Sequence, residues 1–208
     1  MLHLETVEPH TFSLLKQLMR EPDLHDLFLV GGTALSLLYG HRKSEDLDLF
    51  ATERIDNKQV VQKLSEIFKE RMSVHTNNPK FGIFCFIDNV KVDIVEHGHP
   101  LIAATKAVEG VRMFSVEDII AMKVQPIFGR AKKKDFWDIA ELLEHYTIED
   151  FVSFHQKKYS TQNLLITVPQ ALTYFAEAEE DEEPLGLKNQ TWAGVKKTIS
   201  QKVSRYLK

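Results

Sequence analysis

Apolar residues recur along this chain in two rhythms. Between 9 and 20 (PHTFSLLKQLMR), Phe12, Leu15, Leu18 and Met19 follow a helical spacing. LFLV at 27–30 is short and wholly apolar and runs into Gly31-Gly32, the pattern of a buried strand ending in a tight turn. TALSLLYG then predicts a short helix closed by Gly40. DLDLF at 46–50 alternates polar and apolar, which is strand-like. Residues 58–70 place Val60, Val61, Leu64, Ile67 and Phe68 on one helical face. FGIFCFI at 81–87 and VKVDIV at 90–95 predict two further strands, with Asp88-Asn89 as a two-residue hairpin turn between them.

From Ser115 the texture turns helical. Ser115 with Asp118 resembles a capping box opening the helix VEDIIAMKVQ, which Pro126 is expected to break or kink because it removes a backbone donor. A second helix spans 134–145, and Thr147 is placed to cap a third. The remainder reads as helical, interrupted by the acidic run 177–183 with Pro184 behind it, a solvated loop because packed like charges repel. The pattern predicts an α+β protein, with a mixed sheet flanked by helices over 1–114 and a helical region over 115–208.

Bulk properties narrow the possibilities only a little. The chain has 208 residues, ordinary globular composition and a formal charge of −4, so nothing global points to non-specific nucleic-acid binding. Local basic clusters can still serve RNA. With one cysteine, Cys85, set in an apolar run, neither an intramolecular disulfide nor a cysteine zinc site is possible. The opening MLHLETVEPH lacks a basic segment followed by an apolar one, and no stretch reads as a membrane span. A cytoplasmic protein is expected.

The chemistry concentrates in carboxylates. On a strand, Asp46 and Asp48 point the same way while Leu47 and Leu49 point into the core, with Cα atoms about 6.6 Å apart. Asp93 interrupts an otherwise apolar strand. If the two strands pair, about 4.8 Å apart, the three acids converge. Two like charges at 4 Å repel by about 4 kcal/mol at an effective dielectric near 20, so the arrangement calls for a cation. Mg²⁺ (or Mn²⁺) suits it, being bound by a few carboxylates together with substrate phosphates. Taken singly, a DxD strand is commonly a solvated edge, and Asp93 could be a salt-bridged surface group. The turn VGGTAL sharpens the reading: it ends a strand and opens a helix whose free N–H groups suit phosphate, with Gly31 and Gly32 permitting close approach and Thr33 offering a hydroxyl.

Gly31-Gly32, the Asp46-x-Asp48 strand and Asp93 resemble the signature of the polymerase β-like nucleotidyltransferase superfamily. The string FLVGGTALSLLYGHRKSEDLDLF is similar to the AbiEii/AbiGii toxin family, in which GGTAL is followed by HR-x-S-x-DLDLF, matched here by His41, Arg42, Ser44, Asp46 and Asp48. A second family motif, a helical lysine followed by R-x-K-x-[KR]-D and a further Asp, is matched by Lys123, Arg130, Lys132, Lys134, Asp135 and Asp138. An aromatic pair before the acidic stretch and the later Trp192 extend the likeness over most of the chain. Pro126 departs from the pattern, since the family continues a helix between the lysine and the arginine.

The resemblance implies a polymerase β-like core and transfer of a nucleoside monophosphate from an NTP, releasing pyrophosphate. Asp46, Asp48 and Asp93 would bind metal, and Gly31, Gly32, Thr33, Arg42, Ser44, Lys123 and Arg130 would contact nucleotide or phosphate. Asp135 would hold or orient a reacting group. The residues alone leave the second motif open: Lys123 could be a solvated helix lysine, 130–134 a solvated loop, and Asp135 an acid favoured by a helix N-terminus. His41 could be a loop histidine without a role, and the basic stretch with Lys197 and Arg205 a solvated helix face. The family further implies a tRNA or protein acceptor, and an antitoxin protein as a possible partner in a toxin–antitoxin or phage-defence system. Two alternatives stand beside it: a catalytically idle nucleotide-binding module, and a nucleotidyltransferase of small molecules such as antibiotics.

Overall fold

Alternating side chains in LDLFA build the centre of a sheet, because one face of that strand is wholly apolar. A computed structural model of the chain describes residues 1–75 and 81–208. In chain order the elements of the sheet region are α1 (Pro9–Arg20), β1 (Leu27–Leu29), α2 (Gly31–Tyr39), β2 (Leu47–Ala51), α3 (Asn57–Phe68), β3 (Met72–Val74), β4 (Ile83–Ile87), β5 (Val90–Glu96), β6 (Lys106–Val108) and β7 (Val111–Met113). They are followed by α4 (Val116–Ile127), α5 (Lys133–Leu142), α6 (Ile148–Lys158), α7 (Val168–Leu172) and α8 (Trp192–Tyr206).

Two compact units result. The first comprises Met1–Leu38, Ser44–Gly98 and Thr105–Phe114, and the second Tyr39–Lys43, His99–Ala104 and Ser115–Lys208. The first unit holds a mixed sheet in the order β3-β4-β5-β2-β1-β7-β6. β2 is central: it runs antiparallel to β1 and parallel to β5. Leu47 and Leu49 of β2, Val92 and Ile94 of β5, and Leu29 of β1 are fully buried, and α3 packs against β3 and β4 with Leu64 and Phe68 inward. The turn between β4 and β5 has positive φ at both Asp88 (50°) and Asn89 (65°), the conformation a tight two-residue hairpin demands and Asp and Asn tolerate.

The second unit is helical around an aromatic core. Trp137 of α5 stacks on Trp192 of α8 at 5.9 Å, and Phe136 and Phe175 close around the same indole. Thr147 caps α6 by accepting from the Asp150 N–H, which answers to the cap expected there. At α4 the outcome differs from the expected box. Ser115 does accept from the Asp118 N–H, but the Asp118 carboxylate takes the Ser115 hydroxyl (2.6 Å), the Ile102 N–H (2.9 Å) and the buried Lys158 ammonium (2.5 Å). It therefore ties α4, α6 and the segment His99–Ala104 together. Pro126 sits in the last turn of α4, which ends one residue later, where the Arg130 N–H closes on the Pro126 carbonyl at 2.8 Å.

β3, β6 and β7 were not anticipated. Each is three residues long, too short for alternation to register. β2 also begins at Leu47, so Asp46 lies just ahead of the strand, where its carbonyl accepts the Thr33 hydroxyl. No helix among the described residues is long and apolar enough to cross a membrane.

Candidate active site

In the first unit, the parallel register of β2 and β5 sets Asp48 directly beside Asp93. Leu47 and Leu49 are buried on one side of β2, which turns Asp48 to the other. Asp48 there faces the glycine turn. Gly31 has φ +70°, and a Cβ at that position would lie 2.5 Å from Asp48 Oδ2, so both the backbone and the space require glycine. Thr33 is buried and its hydroxyl donates to the Asp46 carbonyl, leaving Ser44 Oγ the donor to Thr33 Oγ1 at 2.8 Å. These bonds tie the first turn of α2 to the chain that enters β2. Thr33 and Ser44 thus brace the acid-bearing strand against the turn, while Gly31 and Gly32 form the turn itself.

A basic residue that the sequence reading passed over completes this cluster. Lys91, two positions before Asp93 on β5, pairs through its ammonium with Asp93 Oδ2. Partial burial works to lower the Lys91 pKa, but the hydrogen bond and charge of Asp93, and then the charges of Asp46 and Asp48, outweigh it and raise it. All three acids therefore act on one ammonium. The V-K-V-D alternation was the available signal, since residues i and i+2 share a face of a strand.

The donor set suits a hard divalent cation. Asp93 Oδ1 is buried and has no hydrogen-bond partner among the described residues, two carboxylates stand side by side, and the glycine lets the backbone approach the Asp48 carboxylate closely. Among the described residues, no three acidic or imidazole side chains already converge in an ion-binding arrangement. Nearby Cys85 supplies no nucleophile: burial first, and then the charge of Asp93, push its thiol up to about 12.

The second unit gathers a different set. Asp138, fully buried on α5, accepts from His41 Nε2 (2.7 Å), from Arg42 Nε (2.7 Å) and Nη2 (2.9 Å), and from Lys123 Nζ (2.6 Å). Lys123 also reaches Asp135 Oδ1 at 3.0 Å, while Asp135 Oδ2 takes the Lys132 N–H at the start of α5. Burial alone would raise the Asp138 carboxyl, but the charges of Arg42 and Lys123 and the hydrogen bonds from His41 and Arg42 hold it well below the usual carboxylate range. Burial likewise opposes the charge on Lys123, yet Asp138 and Asp135 keep its pKa raised.

His41 and Arg42 are delivered to this cluster by the segment Tyr39–Lys43, whose backbone is fastened by Leu187 N–H to His41 O and Lys43 N–H to Leu185 O, both 2.8 Å. The fork of Arg42 grips Asp138, and its Nη1 donates to the Lys43 carbonyl. Arg130, Lys132 and Lys134 are exposed. The hub role of Asp138 was not foreseen, because its partners His41 and Arg42 stand 97 and 96 positions away in sequence.

The chain as a whole is similar to known proteins. A sequence model of the family described as "Nucleotidyl transferase AbiEii toxin, Type IV TA system" matches residues 13–205. An uncharacterized protein of Aquifex aeolicus (strain VF5) is 28% identical over 193 residues, 88% of this chain and 89% of its own. JHP933 from Helicobacter pylori superposes with a TM-score of 0.58 at 19% identity, over 96% of this chain and 92% of its own. MenT4, the nucleotidyltransferase toxin Rv2826c of Mycobacterium tuberculosis H37Rv, gives 0.57 at 14% identity, over 93% of this chain and 85% of its own. At such identities the structural likeness establishes the fold: α+β, with a polymerase β-like nucleotidyltransferase core.

Proposed function

We propose that this chain, which belongs to the nucleotidyltransferase AbiEii toxin family, transfers a nucleoside monophosphate from an NTP to an acceptor at Asp46, Asp48 and Asp93, releasing pyrophosphate. The observation that carries the proposal is the register of β2 and β5, which sets Asp48 beside Asp93 with Asp48 against the Gly31 turn. Bound by these acids, Mg²⁺ or Mn²⁺ would supply neutralising charge to the triphosphate. Gly31 and Gly32 admit phosphate close to the backbone at the start of α2. Thr33 and Ser44 act by fixing that turn to the acid-bearing strand. Asp93 completes the metal site and helps activate the acceptor hydroxyl.

Arg42, Lys123 and Arg130 enter this reading through the family resemblance as residues toward nucleotide and phosphate, and Asp135 as one that holds or orients a reacting group. So do a tRNA or protein acceptor, toxin action with an antitoxin partner, and a cytoplasmic location where NTPs are available. Incubation of the protein with each α-³²P-labelled NTP, Mg²⁺ and either total bacterial RNA or a cleared lysate tests the reading. Label in RNA or in protein supports it and names the acceptor class. NTP binding without transfer to either would favour the idle module or a small-molecule acceptor and count against the macromolecular one.

A further inference from the structure

We propose that Lys91 is an internal counter-ion of the acid centre, held on Asp93 until a divalent cation displaces it, and that it sets how tightly that cation binds. This rests on the reading of Asp46, Asp48 and Asp93 as the metal-binding carboxylates. At Asp93, Oδ2 holds Lys91 while the buried Oδ1 has no hydrogen-bond partner among the described residues. An ammonium brings one charge and donates along discrete N–H directions. A divalent cation brings two and accepts oxygens from several carboxylates at once, so it satisfies the same acids more completely.

Exposure decides which group yields. The Lys91 side chain is 42% exposed and Asp93 only 15%, so the lysine can swing into water while the aspartate stays with its strand. Asp93 is fixed by the β4–β5–β2 ladder, with Phe84 opposite it on one side and Asp48 on the other. The same lysine therefore does two things. In the metal-free protein it limits repulsion among the acids, and it competes with the cation for Asp93.

The two roles make a directional prediction that a merely structural lysine does not share. Replacing Lys91 with Met removes the competitor and leaves the acids more negative, so Mn²⁺ alone should bind about fivefold tighter. The experiment measures free Mn²⁺ by electron paramagnetic resonance with wild type, Lys91→Met and Lys91→Arg, each checked for folding by circular dichroism. Lys91→Arg keeps the charge and should stay near wild type. Without Mn²⁺ the Lys91→Met protein should melt earlier than wild type, and saturating Mn²⁺ should close that gap. Unchanged or weaker Mn²⁺ binding in Lys91→Met overturns the proposal, including the case where only NTP binding suffers and the lysine serves the triphosphate instead. Absence of a saturable Mn²⁺ site in the wild type would remove the metal reading itself, a failure recognisable without any variant.

Discussion

In the first unit, Asp46, Asp48 and Asp93 all act on the ammonium of Lys91; in the second, Asp135 and Asp138 face Lys123, Arg42 and His41. The first cluster is partly open: Lys91 is half-exposed, and Asp93 keeps a buried oxygen with no hydrogen-bond partner among the described residues. The second is closed, and Asp138 has no exposed surface at all. The difference separates two uses of aspartate. Where every lone pair is engaged and water is excluded, a carboxylate organises the fold around it, and removing it strands the cations it had paired. Where a carboxylate keeps one oxygen without a hydrogen-bond partner and shares the other with an exposed ammonium, as Asp93 does among the described residues, it is set to receive a ligand, at some cost to stability.

Breaking the closed cluster should have the largest effect on stability. Asp138→Ala leaves Arg42 and Lys123 buried without their shared partner and is expected to cost about 3–5 kcal/mol, read by urea denaturation. At the open cluster, Gly31→Ala forces an alanine into a left-handed backbone and drives its Cβ into the Asp48 carboxylate. A loss of about 1–3 kcal/mol is expected, with a larger proportional loss of transfer because Asp48 must move.

Acid sharpens the same contrast. The Asp138 carboxyl lies well below its unfolded value, so its stabilisation is complete above the ordinary carboxylate range and is lost as pH falls through the lowered folded value. Denaturation midpoints followed from neutral to acid pH should show this limb in the wild type and a flatter one in Asp138→Asn. The smallest effect concerns Cys85, whose thiol is pushed up to about 12, so a thiol reagent at pH 8 should label it only after unfolding.

Much of this was legible in the order of residues because it is local. The span of α1, the Asp88-Asn89 hairpin and the Thr147 cap each follow from a few adjacent side chains. The pairing of β2 with β5 was stated as a condition, and the register supplies it. What escaped was either too short or too distant. β3, β6 and β7 have three residues each, and Asp46 lies just ahead of its strand with its carbonyl taken by Thr33. The buried Asp118–Lys158 pair and the convergence of His41 and Arg42 on Asp138 join residues 40 or more positions apart, and no local pattern encodes such meetings. Lys91 differs from these, since its place on the face of Asp93 was written in the alternation of β5.

The central claim is that Asp46, Asp48 and Asp93 carry nucleotidyl transfer, whereas Asp138 sustains the fold. Pyrophosphate release in the presence of NTP, Mg²⁺ and the acceptor fraction, compared between wild type and Asp48→Ala, tests it most directly. Release should vanish in Asp48→Ala while its stability stays within about 1 kcal/mol of wild type. Undiminished release by a folded Asp48→Ala protein would contradict the account.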